Sequence, residues 1–192
     1  MKSALISFIA SLAVVTTSAV ANASDRDSFP LRDTLYQSVM KKYEPYKNCI
    51  YWQSEKYGVN ELLVMAVILQ EGGKPSSKNR NSDGTYDYGI LQINDVRSEE
   101  LIELGYELSE VRSDGCKGIE AGVHLLSREI NRAKKEAGNQ GVWLGVGRYH
   151  YSENGEYPHN HYKYRRGVSE KLERLIQKIK NGRNNTYQVV KK

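Results

Sequence analysis

Apolar residues are densest over Leu62-Leu63-Val64-Met65-Ala66-Val67-Ile68-Leu69, a run apolar on every side of a helix. Asn60 has the side chain of an N-cap and Gly72-Gly73 can end the run, so the pattern predicts a buried helix of about three turns with Glu71 in its last turn. Apolar positions three and four apart recur in Leu35 to Tyr43, Cys49 to Tyr57, Leu101 to Leu104, Ile119 to Ile130, Val142 to Tyr149 and Val168 to Ile179. Lys74 to Asp95 breaks that rhythm. Turn formers give way to Tyr86-Asp87-Tyr88-Gly89-Ile90-Leu91-Gln92-Ile93-Asn94, which predicts a short strand or hairpin beside the buried helix. The fold class is therefore mainly α, in one domain, with no internal repeat or linker to divide it.

The N-terminus changes the picture from a helix to a leader. Lys2, the apolar stretch Ala4 to Val15 and the small-x-small triplet Ala21-Asn22-Ala23 read as a secretory signal peptide over residues 1–23. Its loss takes one lysine and no acid, lowering the formal charge from +5 to +4. In an exported, periplasmic or secreted protein that mild basicity suits a cell-wall or lipid surface rather than nucleic acid. Basic residues gather from Lys163 to Lys192, a pattern expected of a solvated helix face, and residues 183–192 read as a flexible basic tail. Residues 24–44 form an N-terminal helical segment and 45–182 the main domain. Cys49 and Cys116 are the two cysteines; an even count in an oxidising space predicts one disulfide.

Glu71 carries the candidate chemistry. Apolar neighbours and the negative end of a helix both push a carboxyl toward its proton-donating form, as a general acid in glycoside cleavage requires. Asn79, Asn81, Asp83 and Gly84 imitate the first half of a calcium loop, but Ile90 stands where the bidentate glutamate would be, so they read as turn chemistry. His150, His159 and His161 have no ligand spacing of a known type, so no metal is expected; His159 and His161 read as polar loop residues around Pro158. Tyr86, Tyr88, Tyr149 and Tyr151 are placed to line a sugar cleft with apolar faces and polar tips.

Glu71 after an apolar helix, the Asn81 to Tyr88 loop, Gly89-Ile90-Leu91-Gln92-Ile93-Asn94 and Gly145 to His150 together resemble the lysozyme-like lytic transglycosylases of the soluble-transglycosylase superfamily, most of all the small branch associated with secretion, pilus and conjugation machines. Cys49 and Cys116 resemble the cysteine pair of that branch. The resemblance implies a lysozyme-like domain acting on peptidoglycan without a cofactor. It makes Glu71 the sole catalytic acid and base, Gly89 to Asn94 the shaper of the cleft with Gln92 on the sugar, Tyr88 and His150 cleft residues, and Tyr149 a hydrogen-bond partner near the carboxyl. Two positions depart from it: Gly72 replaces the usual serine after the glutamate, and Tyr149-His150-Tyr151-Ser152 replaces Tyr-Asn-Ala-Gly.

The implied product is a 1,6-anhydromuramic end, made when the substrate's own primary hydroxyl attacks the anomeric carbon. A hydrolase of the same bond would need a second carboxylate, for which Asp87, Asp83 and Asp95 are the candidates, Asp87 first among them. A wall-binding assembly protein without catalysis is the third reading.

Overall fold

The computed structural model describes residues 32–190, with side chains through residue 182. The expected signal peptide, the first part of the 24–44 segment and the side chains of the basic tail lie outside the described residues. Residues 32–36 are helical and lead through a turn into a 3-10 helix, Lys41–Tyr46. Helices α1 (Lys47–Tyr57) and α2 (Glu61–Glu71) follow, then strands β1 (Lys78–Arg80), β2 (Tyr86–Tyr88) and β3 (Ile93–Asn94). Two short helices, α3 (Ser98–Glu103) and α4 (Leu108–Ser113), precede the long α5 (Gly115–Ala137), α6 (Gly141–His150) and α7 (Pro158–Val190).

Local chemistry explains α2 in full. The Asn60 side chain accepts from the amides of Leu62 (3.0 Å) and Leu63 (3.3 Å), and Gly72 ends the helix at φ +64° with its amide on the Ile68 carbonyl. Leu63 to Ile68 are all buried, so α2 is the core around which the other helices pack. It lies against α7, while α5 packs on both α1 and α6.

The three strands form one antiparallel sheet in the order β1-β2-β3, with Asn79 opposite Asp87 and Asp87 opposite Asn94. Sheet and helices together make a mainly α domain, as the sequence predicts, and fit the lysozyme-like fold that the resemblance implies.

Two readings need correction. The last helix begins at Pro158, ten positions before the periodic run at Val168, because proline fits a helix's first turn, where its missing amide costs nothing. His161 is consequently a fully buried helix residue, not a loop residue: its ring lies under Gly147 of α6, and its Nδ1 is 2.9 Å from the Tyr151 carbonyl oxygen. The same helix runs past Gly182 to Val190.

Cys49 of α1 and Cys116 of α5 are joined by the expected disulfide, with Cα atoms 5.8 Å apart at a sequence separation of 67. Closing a loop of that size stabilises the folded state by about 4 kcal/mol in the chain-entropy picture. Reduction is therefore expected to lower the melting temperature by about 8–16 °C in a chain of this size, measured by calorimetry with and without reductant. An unchanged melting temperature would show that the bridge restrains little.

Candidate active site

The end of α2 is tied down from outside the helix. Lys42 Nζ donates to the Gly72 carbonyl (2.7 Å) and the Tyr43 hydroxyl to the Gly73 carbonyl (3.0 Å). A Cβ at Gly73 would sit 2.1 Å from the Gly89 carbonyl oxygen, so the glycine lets the 89–92 turn close directly over the helix end. Gly72, the departure from the resembled pattern, is in the left-handed conformation that a serine adopts only with strain. The helix here terminates through its backbone, with the Gly72 amide on the Ile68 carbonyl.

Glu71 faces a cleft of about 700 Å³ and has protein on its other side. Burial pushes its carboxyl up to about 8; a hydrogen bond from the Tyr164 hydroxyl to Oε1 pulls it down in part, and the charge of Asp87 adds to the upward push. The carboxyl is thus neutral at neutral pH and carries the proton a general acid delivers.

Asp87 sits at the centre of β2 and lines the same cleft, with Asn94 Nδ2 donating to its Oδ1 (2.8 Å). Successive side chains of a strand point to opposite faces. With Asp87 toward the cleft, Tyr86 and Tyr88 point away from it, which corrects the expectation that they line it. The Tyr88 ring lies under the Arg112 guanidinium, 4.5 Å from its centroid, and Tyr88 borders a separate small hollow with Leu108 and Val111.

The remaining residues of the expected site divide. Gln92, Tyr149, His150 and Tyr151 do line the cleft. Gln92 adopts φ +46°, a backbone conformation rare outside glycine, and its amide is engaged with protein: Nε2 donates to the Gly89 carbonyl (2.6 Å) and Ser77 Oγ (3.1 Å), while Oε1 accepts from Asn79. It shapes the cleft wall as well as facing it. Gly89, at φ +71°, supplies that carbonyl and lies behind the cleft surface.

Tyr149 makes its hydrogen bond beside the carboxyl and to backbone: its buried hydroxyl donates to the Leu91 carbonyl (2.9 Å). Burial first, and the nearby Glu71 charge second, raise its pKa well above the ordinary tyrosine value.

Tyr164 is the tyrosine whose hydroxyl meets the Glu71 carboxyl directly, a contact that the expected site did not include. It comes from α7, is 4% exposed, and donates to Glu71 across 93 positions of sequence. The signal that could have found it is the four-residue spacing of Tyr164, Val168 and Leu172, which places it on the buried stripe of α7. His150 ends α6 with its ring stacked on Tyr164, centroids 4.6 Å apart and planes at 9°. Arg97 Nη2 fixes this end of α6 by donating to the carbonyls of Arg148 and Tyr149 (3.3 Å each).

Among the described residues no group of three or more His, Cys, Asp or Glu side chains is placed to hold a metal ion, and no helix is long and apolar enough to cross a membrane. A family model of the transglycosylase SLT domain matches residues 48–185. The chain is similar to Protein IpgF of Shigella flexneri, 29% identical over 127 residues that make up 66% of this chain and 80% of the relative. It is also similar to the Invasion protein IagB of Salmonella typhimurium, 31% identical over 77 residues, covering 39% of this chain and 48% of the relative.

Proposed function

The chain belongs to the transglycosylase SLT domain family, and from that premise we propose that it is a peptidoglycan lytic transglycosylase, cleaving the bond between N-acetylmuramic acid and N-acetylglucosamine and leaving 1,6-anhydromuramic ends. The observation that carries this reading is Glu71: one carboxyl facing an open cleft, raised to about 8 by burial, with a hydroxyl fixed on Oε1.

In the proposed reaction the Glu71 proton passes to the glycosidic oxygen as its bond to the muramic anomeric carbon breaks. The muramic C6 hydroxyl then attacks that carbon, and its proton returns to the Glu71 carboxylate, so no water is consumed. Tyr164 steadies the carboxylate between the two proton transfers. Asp87, unable to approach a second negative charge without cost, favours the protonated resting acid.

Incubating the mature protein with purified peptidoglycan and resolving the soluble products by mass spectrometry tests the reading. Anhydro ends are the expected result. Reducing ends would overturn it in favour of a hydrolase, and a folded protein that binds sacculi yet releases nothing would leave a wall-binding role. The hydrolase is the second reading with an observation behind it: Asp87 shares the cleft with Glu71 and acts on it electrostatically, so Asp87 is where an activated water would be held.

The pH dependence follows from the same carboxyl. Glu71 must be protonated to donate, so activity is expected to hold through neutral pH and to fall about tenfold per pH unit above about 8, read from initial rates on a soluble glycan. An alkaline limb near pH 5 would mean that the carboxyl is ordinarily solvated.

The mild basic charge and the expected leader suit work in the periplasm or outside the cell. Local opening of the wall for a secretion, pilus or conjugation apparatus fits the resemblance and the name of the IagB relative, an invasion protein.

A further inference from the structure

Three side chains from three helices form a line at one end of the cleft. Glu71 closes α2, Tyr164 lies in the second turn of α7, and His150 closes α6. Tyr164 donates to Glu71 Oε1, and His150 lies flat on the Tyr164 ring at 4.6 Å and 9°. Tyr164 is almost wholly enclosed, whereas His150 is exposed and lines the cleft, so the imidazole is the layer between the phenol and the cleft solvent.

We propose that His150 is a positioning residue for the acid: by stacking on Tyr164 it holds the phenol in the orientation that donates to Glu71 Oε1, which leaves Oε2 to carry the proton delivered to the substrate. The inference rests on the reading of Glu71 as the general acid. It gives His150 a role through protein rather than through sugar.

The chemistry of the pair supports a packing role. Burial pushes the His150 imidazole below its ordinary value, with Asp87 opposing only in part, so the ring is neutral where Glu71 works. A neutral imidazole presents a flat face to a phenol and carries no charge to be desolvated. An aliphatic or shorter side chain at this position would uncover the phenol and free its ring to turn about the Cα–Cβ bond, releasing the hydroxyl from Glu71.

The test compares His150→Ala, which removes the stack, with His150→Phe, which keeps the flat ring and removes its nitrogens. On soluble glycan strands His150→Ala is expected to lose about tenfold in kcat with KM within about twofold, and His150→Phe to stay within about threefold of the parent. In a Tyr164→Phe background, His150→Ala is expected to cost nothing further, since the bond it protects is already gone.

A second readout does not depend on turnover. Tyr164 and Asp87 are the titratable groups that shift Glu71, the Glu71 charge in turn acts on Tyr43, Tyr149 and Tyr164, and of these contacts His150→Ala is expected to change that of Tyr164. Because that contact holds the Glu71 carboxyl down, its loss should raise the Glu71 midpoint by about half a pH unit or more in a carbon-13 carboxyl titration, with His150→Phe unmoved.

A KM rise shared by His150→Ala and His150→Phe with the Glu71 midpoint unmoved would overturn the proposal and make His150 a sugar contact. Additive losses with Tyr164→Phe would overturn it as well. A parent protein that cleaves nothing, yet shows the midpoint shift in His150→Ala, would remove the reading of Glu71 as an acid in catalysis and leave the positioning geometry standing.

Discussion

Glu71→Gln is expected to lose about 10³-fold or more in glycan cleavage while melting higher than the parent protein at pH 8. The first effect follows from removing the carboxyl that burial holds neutral in the cleft; general acid and base catalysis contributes about 10²–10⁴-fold, and in the proposed reaction one residue acts in both directions. The second follows from linkage. The carboxyl titrates at about 8 in the folded protein against an ordinary value of 4.5. Between those values the native state binds more protons than the unfolded state, so stability falls as pH rises through the window. Glutamine keeps the shape and hydrogen-bonding capacity without the titration, so its advantage should be small at pH 5 and grow toward pH 8. Thermal melts of both proteins at the two pH values, beside initial rates, measure this. An equal difference at both pH values would show that the carboxyl is not held neutral, and residual activity above one tenth would point to another acid.

Gly145→Ala should destabilise the whole domain even though alanine is the better helix former. Gly145 lies in α6 where it crosses α5, and a Cβ there would fall 2.4 Å from Ile130 Cα, 2.5 Å from its amide nitrogen and 2.7 Å from the Glu129 carbonyl carbon. These are backbone atoms inside a long helix and have no rotamer through which to retreat. The methyl can be housed only if α6 and α5 separate, at a cost of about 3 kcal/mol, against about 1 kcal/mol gained in helix propensity. The net loss lowers the melting temperature by about 4–8 °C. Activity should fall as well, because α6 carries Tyr149 and its bond to Leu91, and ends in His150 on Tyr164. If Gly145→Ala melted higher, propensity would be winning and the two helices would not approach as closely as described.

What could be read without the fold is what acts within a turn or two of chain. The cap at Asn60, the apolar run and the Gly72 stop together specify α2 and put Glu71 at its end, because an amide needs a partner two or three residues away and a helix needs a residue that tolerates the left-handed conformation. The sheet was legible in outline for the same reason: turn formers between Lys74 and Gly84 bend the chain where they occur. The cysteine pair was legible from its count and its expected compartment.

The contents of the site were decided elsewhere. Tyr164 reaches Glu71 from 93 positions away, and no local pattern distinguishes a tyrosine that meets a carboxyl from one that packs on a neighbouring helix. Tyr149 and Tyr164 are both buried aromatics near Glu71, and only the seating of α6 and α7 settles which hydroxyl meets Leu91 and which meets Glu71. The turning of Tyr86 and Tyr88 away from the cleft depends on strand alternation about Asp87, where a shift of one residue would reverse every face. His161 belongs to the core because Pro158 starts a helix and Gly147 leaves room for an imidazole. Sequence by itself determined the position of Glu71, its helix and the means of keeping that helix buried, since those forces act between near neighbours. Tertiary structure alone decided the acid's hydrogen-bond partner and cleft companions, since these exist only once distant helices pack at fixed distances.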